Sequence, residues 1–199
     1  MKITAIFSSP RKGGNSCSLG MAAIEGAIGL STNIIQIRRL NSLIPSRGCQ
    51  HCNRCKEIGM CVQNDDLAHI VEDIKQSDAL ILCIPMYFGR PCATYCSLED
   101  RLYSLLDTDL TSNIPKGKKL ITIISCAKDV ARGEQLVRDL EIVYCDMFGF
   151  ESLGSLVYAS GANEVSASND HVAQSKALEL GRKLNPNADL ERTYYSSSV

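Results

Sequence analysis

The sequence is poor in the side chains that do chemistry unaided. It has only three histidines, His51, His69 and His171, and no zinc-protease or nucleophile-elbow motif. Chemistry therefore falls to bound cofactors, with the protein supplying position and electrostatics, and no catalytic side chain is assigned. Charge of one sign is also missing: 21 Lys and Arg face 22 Asp and Glu, for a net charge of −1. Such a balance gives no whole-chain attraction to nucleic acid or to anionic lipid. No apolar run is long enough to span a bilayer; the longest, residues 79–88, is broken by Pro85. The N-terminus lacks a signal peptide's apolar core and cleavage site, since Met1-Lys2 leads through Ile3-Thr4-Ala5-Ile6-Phe7 straight to Ser8-Ser9-Pro10-Arg11. The expected location is cytoplasmic, with neither nucleic acid nor membrane as a partner. Internal repeats are absent, and so are a Walker A loop and a Gly-x-Gly-x-x-Gly fingerprint.

Cysteine, by contrast, is abundant, with ten in 199 residues. Without a secretory signal these are expected to be thiols, metal ligands or redox groups rather than disulfides. So many free thiols favour a reducing cell. The remaining composition, 45% hydrophobic and 22% charged, is ordinary for a globular domain of this length.

Strand-like and helix-like segments alternate along the chain. Strands are predicted at residues 3–7, 33–38, 79–84, 119–125 and 155–159. Helices are predicted at 16–29, with Asn15 or Ser16 as cap, and at 66–76, 94–106, 134–148 and 170–184. In the second, Leu67, Ile70, Val71 and Ile74 fall at helical spacing. The segment 79–84 is almost wholly apolar, as a central parallel strand requires. Alternation of this kind implies an α/β fold, a five-stranded parallel sheet with helices on both faces. The strand order expected is 2-1-3-4-5, that of flavodoxin-like folds, whose ligands sit beyond the C-terminal strand ends. One domain is expected over residues 1–185, interrupted after the second strand by a cysteine-rich loop at 41–65. A polar tail is expected at 186–199.

The first strand ends in Ser8-Ser9-Pro10-Arg11-Lys12-Gly13-Gly14-Asn15-Ser16, and a helix follows. A loop feeding a helix N-terminus offers free N–H groups and a positive dipole end, which favour an anion. Gly13 and Gly14 let the backbone come close. Ser8, Ser9, Asn15 and Ser16 add donors, and Arg11 adds charge. The same residues also suit a polar turn with no ligand. The loop resembles the FMN phosphate loop of the NADPH-dependent FMN reductase families of flavodoxin-like proteins. That resemblance implies FMN as cofactor, with Ser9, Arg11, Asn15 and Ser16 as the best phosphate contacts.

The third strand runs into Pro85-Met86-Tyr87-Phe88-Gly89-Arg90-Pro91. Two aromatics and a thioether at a strand end can lie along a flat tricyclic ring, or can simply close the core under a turn. The stretch is similar to the isoalloxazine loop of the same families, which implies Pro85, Met86, Tyr87, Phe88 and Gly89 as flavin neighbours. Asp100-Arg101 matches an Asp-Arg pair of their next helix and is expected to be a structural ion pair. A third family loop is matched only loosely by Arg132-Gly133-Glu134-Gln135. On that looser match Ser125, Cys126 and Gly133 are further flavin neighbours.

The sharpest motif is Cys49-x2-Cys52-x2-Cys55-x5-Cys61, four thiols within thirteen residues. Soft thiolates select zinc, copper(I) or iron–sulfur clusters. Structural zinc usually takes two Cys-x-x-Cys knuckles from separated segments, whereas three cysteines at x2, x2 spacing suit a [4Fe–4S] cluster. Zinc, or an empty or oxidised thiol cluster, remain alternatives. Arg47, Arg54 and Lys56 flank the motif and can offset cluster charge or simply face solvent. His51 is expected to face solvent or a partner. Residues 48–67 resemble the iron–sulfur flavoproteins of anaerobic archaea and bacteria. Cys17, Cys83, Cys92, Cys96, Cys126 and Cys145 are read as small core residues; Cys92 and Cys96, one helical turn apart, are a further redox-pair candidate.

The leading expectation is a redox flavoprotein that moves electrons between a [4Fe–4S] cluster on Cys49, Cys52, Cys55 and Cys61 and FMN. The resemblance implies a ferredoxin-like electron carrier, a small-molecule acceptor such as oxygen or peroxide, and a homodimer or homotetramer in which the two cofactors meet across subunits. Two rival readings stand beside it. One is an NAD(P)H-dependent FMN or quinone reductase with structural cysteines. The other is a non-enzymatic metal or redox sensor.

Overall fold

The computed structural model describes residues 1–29, 31–43, 47–161 and 166–185. The expected tail at 186–199 lies outside the described residues. In chain order the elements are β1 (Lys2–Phe7), α1 (Asn15–Ile28), β2 (Ile34–Arg39), the one-turn α2 (Cys55–Ile58), α3 (Asp66–Gln76), β3 (Ala79–Tyr87), β4 (Arg90–Pro91), α4 (Ala93–Arg101), β5 (Lys119–Cys126), α5 (Val130–Glu141), β6 (Glu151–Ala159) and α6 (His171–Arg182). A 3-10 turn, Leu102–Leu105, extends α4, and a π turn, Ile142–Met147, extends α5.

The sheet runs β2-β1-β3-β5-β6, with every neighbour in that row parallel. With the two-residue β4 set aside, this is the expected 2-1-3-4-5 order. Side chains alternate across the sheet as the pleat requires. Ala79, Ile81 and Cys83 of β3 pack with α1 and α6, while Leu80, Leu82 and Ile84 pack with α3, α4 and α5. Both faces are covered, which is why β3 reads as an unbroken apolar run. On the first face two glycines bring helix backbones together. A Cβ on Gly181 would lie 1.8 Å from the Ala23 carbonyl oxygen, and one on Gly26 2.0 Å from that of Leu178.

Several boundaries differ from the sequence reading. β6 begins at Glu151, four residues before the expected 155, because the register slips between Leu120 and Ile121 and Gly154 sits at φ +126°. The slip breaks the alternation that marks a strand. α5 begins at Val130 because Asp129 caps it, its carboxylate accepting from the Arg132 N–H at 2.8 Å. The N-cap position of α1 is Gly14, which provides no side-chain cap, instead of Asn15 or Ser16. Asn15 Oδ1 instead accepts from the Ala167 N–H at 3.1 Å and ties α1 to the turn before α6.

Candidate functional site

Ser8 sits at the C-terminal rim of the sheet, fully buried, where β1 ends beside Cys83 while β3 runs on to Tyr87. Its N–H and its hydroxyl both donate to the Cys83 carbonyl, at 3.1 and 3.3 Å. Its own carbonyl accepts from Asn41 Nδ2 at 3.0 Å, Thr94 Oγ1 at 3.2 Å and the Cys92 thiol at 3.3 Å. Ser8 thus gathers the loops that leave β1, β2 and β3. Its hydroxyl is spent on that lock.

Beyond Ser8, the loop is shaped by Ser9 and leaves Arg11 and the start of α1 open. Ser9 Oγ bridges the Arg11 N–H and carbonyl, both at 3.2 Å, and so curls the loop. A Cβ on Gly14 would stand 2.8 Å from that Ser9 hydroxyl, so only glycine lets the chain close there. Arg11 is exposed at the mouth. Behind it the start of α1 has no side-chain cap and no acidic residue in its first turn. The Ser16 hydroxyl is buried with no hydrogen-bond partner. An uncapped helix end, an orphaned hydroxyl and an arginine together fit a phosphate monoester.

Beside this loop, Met86 pairs with Pro91 and Tyr87 with Arg90 in a tight antiparallel hairpin. Phe88 and Gly89 form its tip at φ 52° and 77°, the left-handed pair that a two-residue hairpin requires. Phe88 is 100% exposed. An apolar ring in a costly backbone conformation, held out in water, calls for a covering group. A cavity of about 480 Å³ opens there, lined by Met86, Phe88, Gly89, Ala127, Lys128, Asp129 and Arg132. Pro85 is buried against β5 and pairs with the half-buried Ser125. Lys128 escaped the sequence reading, and Arg132 entered it only within the loosely matched third loop, although the Asp129 cap signal locates the start of α5 at this rim.

The four motif cysteines share one loop braced by its neighbours. All are free thiols, with Cys55 buried, Cys49 and Cys61 half-buried and Cys52 exposed. Burial pushes the Cys55 thiol up, and the sulfurs of Cys61, Cys49 and Cys52 act on it in the same direction. The chain turns sharply between them, with His51 and Asn53 at φ 51° and 57°. The His51 N–H donates to Cys49 Sγ at 3.4 Å. Successive amides in such turns form the concavities that suit anionic iron–sulfur centres. Among the described residues, no three His, Cys, Asp or Glu side chains are gathered tightly enough for a single metal ion. A cubane makes a different demand, since each of its four thiolates meets its own iron around a larger body. The donor set and the turns fit that group.

The braces come from the end of α4. Arg101, fully buried, places its fork on Asp65, with Nη2–Oδ1 at 2.9 Å and Nη1–Oδ2 at 3.0 Å. The same fork donates to the carbonyls of Arg47 and Gln63. The expected Asp100–Arg101 ion pair is therefore corrected: neighbouring helical residues do not face each other, and Asp100 instead lies against Gly48, where a Cβ would be 2.5 Å from Oδ2. Lys56 Nζ donates to the carbonyls of Tyr103 and Leu106, at 2.7 and 2.6 Å, and sits 3.7 Å over the Tyr103 ring. His51 stacks on that ring, 5.9 Å between centroids, and the Tyr103 hydroxyl donates to Asn53 at 3.3 Å. Of the expected flanking charges, Lys56 is thus spent on carbonyls and Arg54 on Glu57 at 3.3 Å, leaving Arg47 exposed.

Of the remaining cysteines, Cys17, Cys83, Cys92 and Cys126 are buried, and Cys96 and Cys145 are half-buried. Burial pushes the Cys83 and Cys17 thiols up, away from reactivity. Cys92 and Cys96 donate to different carbonyls, those of Ser8 and Pro91, and all ten cysteines are free.

Comparison with known proteins bears on both loops. The family model described as NADPH-dependent FMN reductase matches residues 1–164. An iron–sulfur flavoprotein of Methanocaldococcus jannaschii is 36% identical over 105 residues, 51% of each chain. One of Methanosarcina thermophila is 36% identical over 103 residues, 51% of this chain and 52% of that one. The chain thus spans about half the length of these curated relatives. One of Clostridioides difficile is 27% identical over 166 residues, covering 82% and 70%. Among solved structures, the NAD(P)H:quinone oxidoreductase of Methanothermobacter marburgensis superposes with a TM-score of 0.70 at 16% identity, over 92% of this chain and 96% of that one. The FMN-dependent NADH-azoreductase of Bacillus anthracis, solved with FMN, gives 0.70 at 11% identity, over 92% and 99%. These two likenesses establish a shared fold.

Proposed function

Because the chain belongs to the NADPH-dependent FMN reductase family, we propose that it is an FMN-dependent oxidoreductase that carries a [4Fe–4S] cluster and moves electrons between the two. The cysteine loop carries this reading: four free thiols in thirteen residues, on a chain that turns through left-handed positions at His51 and Asn53. Relatives that bear the name iron–sulfur flavoprotein support it.

Each part of the chain has a task in this scheme. Cys49, Cys52, Cys55 and Cys61 are the cluster ligands. Ser9, Arg11, Asn15, Ser16 and the first amides of α1 hold the phosphate of FMN. The Pro85–Gly89 hairpin, with Lys128 and Arg132 opposite, covers the ring and presents cations to its polar edge. When bound, the cluster supplies one-electron exchange and the flavin converts single electrons into pairs. A cytoplasmic ferredoxin-like carrier is the proposed donor, and a small acceptor such as oxygen or peroxide the proposed sink. The loops stand at opposite ends of α4, nine residues or about 13 Å of helix. The proposed assembly is a homodimer or homotetramer in which one copy's cysteine loop serves its neighbour's flavin.

Purification without oxygen tests the proposal. About four iron, four sulfide and one FMN per chain are expected. FMN without iron would favour the NAD(P)H reductase, and zinc or no cofactor would favour a sensor.

A further inference from the structure

The cysteine loop is irregular, yet it enters and leaves through one buried guanidinium. Arg101 donates to the Arg47 carbonyl at 2.9 Å, just before Gly48 and Cys49. It donates to the Gln63 carbonyl at 3.3 Å, two residues beyond Cys61. It is paired with Asp65, which begins α3 by accepting from the Ala68 N–H at 3.0 Å. Cys61 lies close enough to the same guanidinium to favour its charge, while Nε, buried, makes no hydrogen bond. Asp100, its neighbour, fills the space above Gly48. Burying a guanidinium costs several kcal/mol, so such a pair is poor evidence for stability and better evidence for a fixed arrangement.

We propose that Arg101 is the positioning residue of the cysteine loop: it ties both ends of residues 47–65 to the end of α4, gathering the four thiols before any cluster is bound and keeping a fixed positive charge beside Cys61. The proposal rests on the cluster reading for its second half only. The first half concerns the metal-free chain.

Three variants test it. Arg101→Lys keeps the charge and loses the fork. Asp65→Asn keeps the cap of α3 and loses the ion pair, and serves if the Arg101 variant does not fold. In the metal-free, FMN-loaded protein, subtilisin should cut within residues 47–65 about tenfold faster in either variant than in the parent. FMN affinity should stay within about twofold, which shows that the rim is intact. Cluster uptake under reconstitution should fall with the same order. In Arg101→Gln, loss of the positive charge should move the cluster's midpoint potential to more negative values, while Arg101→Lys stays near the parent. Folded variants with parental cleavage of the metal-free loop would overturn the clasp, and an unchanged potential in a loaded Arg101→Gln protein would overturn the electrostatic half. If the parent itself takes up no cluster, the proposed function fails, and the cleavage pattern still decides the clasp.

Discussion

The loop after β1 and the loop after β2 leave the same edge of the sheet but are held in different ways. The first is held by the sheet itself. Ser8 is locked on Cys83 of the adjacent strand, the short side chains of Asn41, Cys92 and Thr94 close on its carbonyl, and Ser9 curls the loop within itself. The second is held from outside, by long side chains distant in sequence. Arg101 is 54 residues from Arg47 and 36 from Asp65, and Lys56 is 47 from Tyr103. A site anchored on paired strand ends forms with the sheet. A site made by a few distant side chains is only as firm as those pairs, and can be lost while the sheet persists.

Mutations that touch one loop should therefore leave the other unmoved, and the largest effects come first. Cys52→Ser should abolish iron incorporation and leave FMN affinity within about twofold, read by iron analysis and flavin fluorescence. Joint loss of both cofactors would break the separation of the sites. In the opposite sense, Gly14→Val drives a side chain into Ser9 Oγ and the Arg11 carbonyl, 2.8 and 3.2 Å from its Cβ. It should weaken FMN by roughly ten- to hundredfold and leave iron content unchanged.

Acid should separate the loops as well. Burial alone would raise the Asp65 carboxyl, but Arg101 and the Ala68 N–H reverse this and hold it below its ordinary value. A carboxyl depressed in the folded state contributes stability above its unfolded pKa and loses it as pH falls through the folded one. Proteolysis of the metal-free cysteine loop should accordingly be flat near neutrality and rise below pH about 4, with the phosphate loop unaffected. Asp65→Asn should remove that rise. The smallest expected change is Ser16→Ala, which deletes a buried hydroxyl that has no partner. Stability of the FMN-free protein should hold or rise by less than about 1 kcal/mol, while FMN affinity drops severalfold.

The same contrast explains what the sequence could tell. Short apolar runs reveal β1 and β3, and a 3.6-residue period reveals α3, because burial on both faces or on one fixed face writes itself into local order. The phosphate loop and the cysteine motif are local too, and their residues could be named in advance. The hairpin tip was hidden because Phe88-Gly89 lacks the usual Asn-Gly signal, and β6 began early because Gly154 interrupts its alternation. The partner of Arg101 was hidden for a different reason. Asp100 stands next to it in the chain, whereas Asp65 comes to it only after α3, β3 and α4 have packed.

The central claim is that electrons reach the flavin by way of the cysteine loop. Rapid mixing of the anaerobic protein with a reduced ferredoxin-type carrier, followed at flavin wavelengths, tests it most directly. The account predicts fast flavin reduction in the parent and almost none in FMN-loaded Cys52→Ser, whose flavin still reduces under light with a sacrificial donor. Equal rates in the two proteins would contradict it.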